Sequence, residues 1–182
     1  MAEQNKETFE QYNFKKIVTQ CPHCFTTLKN DYAEMGIELD VVHHSQYIDE
    51  LINDKKIEPK PYLDEDITFH DPCYLGRHNG EYDAPRKVLQ SVLKEGSIKE
   101  MEQSKSDSFC CGAGGGNMWY EIKTGERINQ HRVNQAVDTE AKTIAAACNF
   151  CNIMLEDGVK TTGNEENIRV VDIAEMVSKG LE

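Results

Sequence analysis

Five of the seven cysteines in this chain of 182 residues are spaced in a way that suits metal chemistry. Cys73 closes the run His70-Asp71-Pro72-Cys73, the adjacent pair Cys110 and Cys111 leads into Gly112-Ala113-Gly114-Gly115-Gly116, and Cys148-Asn149-Phe150-Cys151 ends the set. There are 36 residues between Cys73 and Cys110, and 36 again between Cys111 and Cys148, so the pattern is C-x36-CC-x36-C-x2-C. Adjacent cysteines strain any disulfide between them, whereas a C-x2-C turn presents two sulfurs to one centre. Soft thiolates select iron–sulfur clusters or zinc. A tetrahedral zinc or a regular cubane cluster uses four protein ligands, one fewer than this set supplies. Iron–sulfur is the preferred chemistry. Zinc held by four of the five sulfurs is the rival, and five buried cysteines acting as small hydrophobes is the metal-free alternative.

The residues around these thiols have weaker claims. The glycine run lacks the Gly-Lys-Ser/Thr ending of a phosphate-binding loop. It is better suited to bringing backbone N–H groups close to sulfur, with Gly112 and Gly114 the candidates for contact with the cofactor. His70 is a candidate proton relay or donor to a ligand, against an ordinary structural histidine at a strand end. His43 and His44 have similar standing, and His23, inside Cys21-Pro22-His23-Cys24, is expected in solvent. Arg77 could face an anionic centre or simply the surface. Met118, Trp119 and Tyr120 are expected to screen the site from water or to pack in the core. Cys21 and Cys24 form a possible second metal site.

These motifs resemble the CCG, or cysteine-rich, domain found in heterodisulfide reductase, in the iron–sulfur subunits of glycolate and lactate oxidases, and in related membrane-linked reductases. The resemblance is carried by His70-Asp71-Pro72-Cys73-Tyr74-Leu75-Gly76-Arg77, by Cys110-Cys111 with the glycines after it, and by Cys148-Asn149-Phe150-Cys151, and it extends from about Ile17 to the end. It implies a [4Fe–4S] cluster, in some members a non-cubane one using all five cysteines. It further implies an Fe–S oxidoreductase carrying electrons between a flavoprotein or ferredoxin-type module and a quinone or disulfide acceptor. The alternative is a zinc-bound docking module of a redox complex, without catalysis of its own. Asn117 stands where the resemblance leads one to expect a basic residue.

The elements that must position the thiols follow from local pattern. Lys16-Ile17-Val18-Thr19 has the β-branched character of a short strand and runs straight into Cys21, and Pro22 suits the opening of a helix over 22–35 that Gly36 stops. A strand is expected at 38–42 and a helix at 45–53 with Ser45 as its N-cap. A proline-containing link, 57–61, precedes a strand at 66–70 that delivers Cys73. Then come a helix at 84–94, a short strand at 99–102 and helical sequence at 117–141 broken near Gly125. A buried strand at 143–147, a helix at 150–158, a strand at 168–171 and a helix at 172–180 complete the chain. Alternating strands and helices predict an α/β fold with a mainly parallel sheet, whose ligands gather beyond the carboxyl ends of the strands.

The two ends of the chain echo one another. Ile17, Cys21, Cys24 and Leu28 match Ile144, Cys148, Cys151 and Leu155 at an offset of 127 positions, an internal repeat of the strand–Cys-x2-Cys–helix kind. Residues 1–58 thus read as the C-terminal part of a first cysteine-rich repeat and 59–182 as a complete second one. A longer parent polypeptide, or failing that a partner chain, would supply what the first repeat lacks.

Twenty basic against 32 acidic residues give a net charge of −12, which argues against nucleic acid or an anionic membrane surface as a direct partner. No run of 18 apolar residues and no apolar leader segment is evident, so a cytoplasmic setting is expected, peripheral to the membrane through partner subunits at most. Thiols stay reduced there, and seven of them read as ligands or redox groups instead of a disulfide framework.

Overall fold

A computed structural model describes residues 1–120 and 125–182. In chain order the elements are α1 (Ala2–Phe9), β1 (Ile17–Thr19), α2 (Pro22–Thr26), a π-helical turn (Thr27–Asp31) running into α3 (Tyr32–Glu34), β2 (Val41–His43), α4 (His44–Asn53), β3 (Ile67–His70), α5 (Cys73–Gly76) and α6 (Asp83–Gln90). After two short 3-10 segments, Lys105–Asp107 and Gly114–Trp119, follow α7 (Ile128–Val137), β4 (Thr143–Ala146), α8 (Asn149–Thr161), β5 (Arg169–Asp172) and α9 (Ile173–Gly180).

The strands form two parallel sheets, β1-β2 and β3-β4-β5. Every pair is parallel, with Ile17 opposite Val41, Ile67 opposite Thr143 and Thr143 opposite Arg169. Parallel neighbours need a helical crossover between them, which is why each strand is followed by a helix that packs back on the sheet. β3 and β4 are buried along their whole length, as expected of strands covered on both faces. The fold is therefore the expected α/β class, with the parallel strands divided between two sheets.

One apolar cluster joins the two sheets: Phe25 and Val41 from the first half meet Ile67, Phe69, Leu75, Val88, Leu89, Val92 and Ile173. A second, with Val133, Ile144, Leu155 and Ile168, lies under α7 and α8 and takes in Cys111, Cys148 and Cys151. Each large apolar side chain so buried contributes about 1.5–3 kcal/mol. The thiols thus sit at the rim of a packed core.

Several sequence expectations need correction. Residues 99–102 form no strand; only a single bridge from Ile98 to Ile67 reaches the sheet, because Lys99 and Glu100 stay solvated at its edge. The helix expected over 117–141 begins only at Ile128: Gly115 and Gly116 take positive φ (65° and 78°) and break the preceding turn. The part of that expectation on 121–124 lies outside the described residues. The N-cap of α4 is His43, whose Nδ1 accepts from the Ser45 backbone N–H, so Ser45 lies inside the helix. The helix expected over 84–94 stops at Gln90, although Val88, Leu89 and Val92 are all buried as its apolar face requires.

Close helix packing fixes one glycine. A Cβ on Gly158 of α8 would lie 2.8 Å from Val133 Cγ2 and 2.9 Å from the Asn129 carbonyl oxygen of α7. Alanine in a helix is intrinsically favoured over glycine by about 1 kcal/mol, but overpacking against backbone costs about 1–3 kcal/mol. Gly158→Ala is expected to lower the thermal midpoint by several degrees, read by circular dichroism; a rise would show that α7 and α8 separate without cost.

Candidate metal centre

The carboxyl ends of β3 and β4 stand side by side, His70 opposite Ala146. Cys73 follows the first and opens α5, and Cys148 follows the second as the N-cap of α8. The Cys110-Cys111 turn arrives from the long connection after α6. Five sulfurs separated along the chain therefore become neighbours: Cys73 beside Cys110, Cys110 beside Cys111, Cys111 beside Cys151, and Cys151 beside Cys148. Around them is a cavity of about 30 Å³, walled by Pro22, His23, Tyr74, Gly114 and Phe150.

Cys111, Cys148 and Cys151 are buried and Cys73 and Cys110 half-buried, all with free thiols. Hydrogen bonding divides them into two kinds. The Cys110 thiol, which accepts from Cys111 and from Cys73, is pulled down to about 2. Donation from Cys151 pulls Cys148 to about 5 against the opposing effect of burial, with His23 helping. The donors move the other way: Cys73 and Cys151 are raised, and Cys111 is pushed up to about 12. Two thiolates are thus stabilised at neutral pH, the state a soft metal requires.

Backbone donors complete the cradle. The Gly112 N–H reaches Cys110 Sγ at 3.2 Å and the Ala113 N–H reaches the Cys111 sulfur. Gly112 has φ +92° and a Cβ there would meet Ile128 at 3.2 Å, so glycine is required for both conformation and space. Gly114 borders the cavity but a Cβ on it would meet nothing. Soft sulfur donors, amide N–H groups aimed at them and exclusion of water fit a thiolate-bound iron–sulfur group.

His70 is fully buried, and one of its ring nitrogens lies within 4.8 Å of both the Cys111 and Cys151 sulfurs. Burial first, then the charge of Arg132, holds its imidazole well below the usual range, so the ring is neutral. Asp71, in the same motif, is an anchor. Its two oxygens accept from Arg86 Nη1 and Nη2 at 2.8 and 2.9 Å, the second also from the Lys105 N–H at 2.8 Å, while Arg86 reaches on to Glu100. This fixes the segment that carries the vicinal cysteines. Removing one member of a buried ion pair costs about 3–5 kcal/mol. Asp71→Ala is expected to destabilise by about 3 kcal/mol in urea unfolding and to raise the reactivity of Cys110; an effect under about 1 kcal/mol would show the anchor to be dispensable.

The other candidates divide. His23 is half-buried in the cavity wall, its ring tilted against Tyr74 with centroids 4.0 Å apart and beside Cys148, not out in solvent. The repeat's second half could have signalled this, since Cys21-Pro22-His23 mirrors Cys148-Asn149-Phe150. Trp119 and Tyr120 are 78% and 71% exposed and do not screen the site. Arg77 lies at the surface and donates to the Ser108 carbonyl. His43 and His44 sit away from the five sulfurs, in a seam where His44 faces Asp172 at 3.6 Å. Asp172 also accepts from Gln20 and Asn152, tying the two C-x2-C turns together. Cys21 is half-buried and Cys24 exposed, and His23 Nδ1 is 3.9 Å from Cys21 Sγ. Among the described residues the one grouping of three or more close metal-ligating side chains is His70, Cys111 and Cys151, and it includes neither Cys21 nor Cys24.

A parallel α/β scaffold with thiols collected at the strand ends defines a cysteine-rich metal-centre protein. The chain belongs to the cysteine-rich (CCG) domain family, whose model matches residues 1–29 and 67–156. It is 41% identical over 181 residues to a probable iron-sulfur-binding oxidoreductase FadF of Bacillus subtilis (strain 168), covering 100% of this chain and 26% of that protein. It is 42% identical over 189 residues to the EtfAB:quinone oxidoreductase of Syntrophomonas wolfei, with 100% and 26% covered. Against a subunit of the dihydromethanophenazine:CoB–CoM heterodisulfide reductase of Methanosarcina barkeri the identity is 36% over 184 residues, with 100% and 44% covered. The chain spans between about a quarter and a half of these relatives' lengths.

Proposed function

We propose that this chain is the cluster-bearing part of an Fe–S oxidoreductase, with Cys73, Cys110, Cys111, Cys148 and Cys151 as ligands of a [4Fe–4S] centre. The observation that carries this reading is the contiguous row of five sulfurs at the ends of two adjacent parallel strands. Such a centre supplies single-electron storage. The chain's own groups do the rest. The N–H groups of Gly112 and Ala113 neutralise charge on sulfur, which favours the reduced state, and the buried position of Cys111, Cys148 and Cys151 keeps water from the metal bonds. Gly114 and His23 border the cavity beside the sulfurs.

Two relatives are named for a quinone and for a heterodisulfide, which supports these as the acceptor classes, and a third is named an iron-sulfur-binding oxidoreductase. The donor is a flavoprotein or ferredoxin-type module, and the acceptor a quinone or a disulfide. No helix among the described residues is long and apolar enough to cross a membrane. Residues 1–58 are the closing part of a first repeat and 59–182 a complete second one, with Cys21 and Cys24 as half of a second metal site. In support, β1-β2 and β4-β5 share one order of strand, Cys-x2-Cys, helix, strand and helix.

Anaerobic purification tests the reading. The expected protein is brown, absorbs in the visible and carries about four iron and four acid-labile sulfides per chain. A colourless protein holding one zinc would replace it with the docking-module reading, for which four of the five thiols suffice.

A further inference from the structure

Arg132 is fully buried, the largest side chain among the described residues to be so. It is also oddly provided for. Its guanidinium donates to four acceptors, all neutral: His70 Nδ1 at 3.0 Å, the Gln103 carbonyl at 2.8 Å, Gln135 Oε1 at 2.7 Å and Ser108 Oγ at 3.2 Å. The nearest carboxylate in the same network, Asp71, is already held by both prongs of Arg86 and by the Lys105 N–H. Burial lowers Arg132 only to about 10, so it is still a cation at neutral pH. A buried cation with no carboxylate hydrogen-bonded to it is costly; burial opposes the charge of Arg132, and the groups that favour it are Asp71 first, then the Cys151 and Cys111 sulfurs, then Glu100. What lies beyond the neutral ring of His70 is the sulfur centre, with Cys111 and Cys151 within 4.8 Å of a ring nitrogen.

The contact also fixes the ring. Because Nδ1 accepts from Arg132, it carries the lone pair, and the single proton of a neutral imidazole sits on Nε2. His70 therefore presents an N–H donor on its far side, and the guanidinium holds it there.

We infer that Arg132 is the fixed counter-charge of the five-cysteine centre, a positioning residue that orients His70 as an N–H donor to the sulfurs and raises the centre's reduction potential. The inference rests on the proposed iron–sulfur reading. Adding one electron makes the centre more negative, so a cation held behind His70 stabilises the reduced form. The charge need not titrate and no proton need move.

The test uses the full chain, reconstituted with ferrous iron and sulfide and titrated with dithionite under spectroscopic control. Arg132→Gln is expected to lower the equilibrium constant for one-electron reduction tenfold or more, about 59 mV for each factor of ten. Arg132→Lys, which keeps the charge, is expected to stay within about threefold of the wild type. A purely structural role predicts the reverse, equal damage from Gln and Lys. Equal potentials in the wild type and Arg132→Gln overturn the inference, as does Lys falling as far as Gln. Should Arg132→Gln not fold, Arg132→Met, an apolar side chain of similar length for the buried site, carries the same test: a tenfold fall supports the inference and no fall overturns it. A wild-type chain that binds no iron defeats the iron–sulfur reading instead. In that case iodoacetamide alkylation of the metal-free thiols decides, a tenfold slowing in Arg132→Gln supporting the counter-charge and an unchanged rate overturning it.

Discussion

Serine in place of Cys151 is expected to empty the centre, with iron and sulfide falling by about 100-fold relative to the wild type at equal reconstitution. Changes to groups that merely support a ligand cost about 10–100-fold in metal affinity, and loss of a fully buried ligand sits at or beyond the upper end. Cys151 is the link between Cys111 and Cys148, so its loss also strands Cys148 from the other sulfurs. A serine hydroxyl is a harder donor that does not ionise in this apolar pocket. Cys21→Ser is the control, expected to retain the iron of the main centre, since Cys21 touches the five sulfurs only by way of His23. Full iron content in Cys151→Ser would remove that sulfur from the ligand set. Scanning all five in this way also separates a four-thiol site from a five-thiol one, because a four-thiol site tolerates one of the replacements.

That the five thiols meet was legible because each cysteine follows its strand directly. Ile67–His70 and Thr143–Ala146 are short apolar runs that end at a cysteine turn, and parallel sheets gather such turns at one rim. The same logic located β1, which runs into Cys21. What failed had local causes. At 99–102 only Met101 is apolar and buried, while Lys99, Glu100 and Glu102 stay at the surface, so the backbone makes one hydrogen bond, Lys99 N–H to the Ile67 carbonyl, and no ladder follows. The sequence from Asn117 reads as helix, but after Gly115 and Gly116, both at positive φ, the chain makes only a 3-10 turn to Trp119, and α7 starts at Ile128. Arg132 was missed for a different reason. It lies on the stripe Asn129, Arg132, Val133 and Ala136, all buried, so the spacing placed it inward. A basic residue on an apolar stripe is usually dismissed as snorkelling to water, and only the structure shows what it meets. His43 as an N-cap had no composition signal at all, since imidazole is an uncommon acceptor at that position.

Acid is expected to unfold this chain earlier than carboxylate titration alone would. His43 is fully buried, and burial with the neighbouring His44 lowers it to about 3. In the unfolded chain an imidazole titrates near 6.5. The folded form therefore refuses a proton that the unfolded form takes, and stability falls as the pH drops from about 6.5 towards 3, being complete above that window. Integrated over that span, His43 alone accounts for about 5 kcal/mol at most. Asp172, which His44 and the Ala174 N–H hold below the usual carboxylate range against the effect of burial, adds to the loss only at the lower end. His43→Asn keeps an N-cap acceptor for α4 and removes the titration. Urea unfolding of the metal-free chain at pH 7.5 and 4.5 should show a steep drop for the wild type and a shallower one for His43→Asn. Equal slopes would assign the acid sensitivity elsewhere.

The pairing of Ile67 with Thr143 has a consequence for how the protein is made. Until those two distant strands lie together, Cys73 and Cys148 have no shared neighbourhood, and contacts this remote in sequence form late. Metal cannot nucleate such a chain as it does a zinc finger, whose ligands sit close along the backbone. Loading must follow closure of the sheet, so the newborn polypeptide passes through an interval with its thiols bare. Cells producing it in air would lose product in that interval, and iron and sulfide delivery will be productive only after the strands have joined.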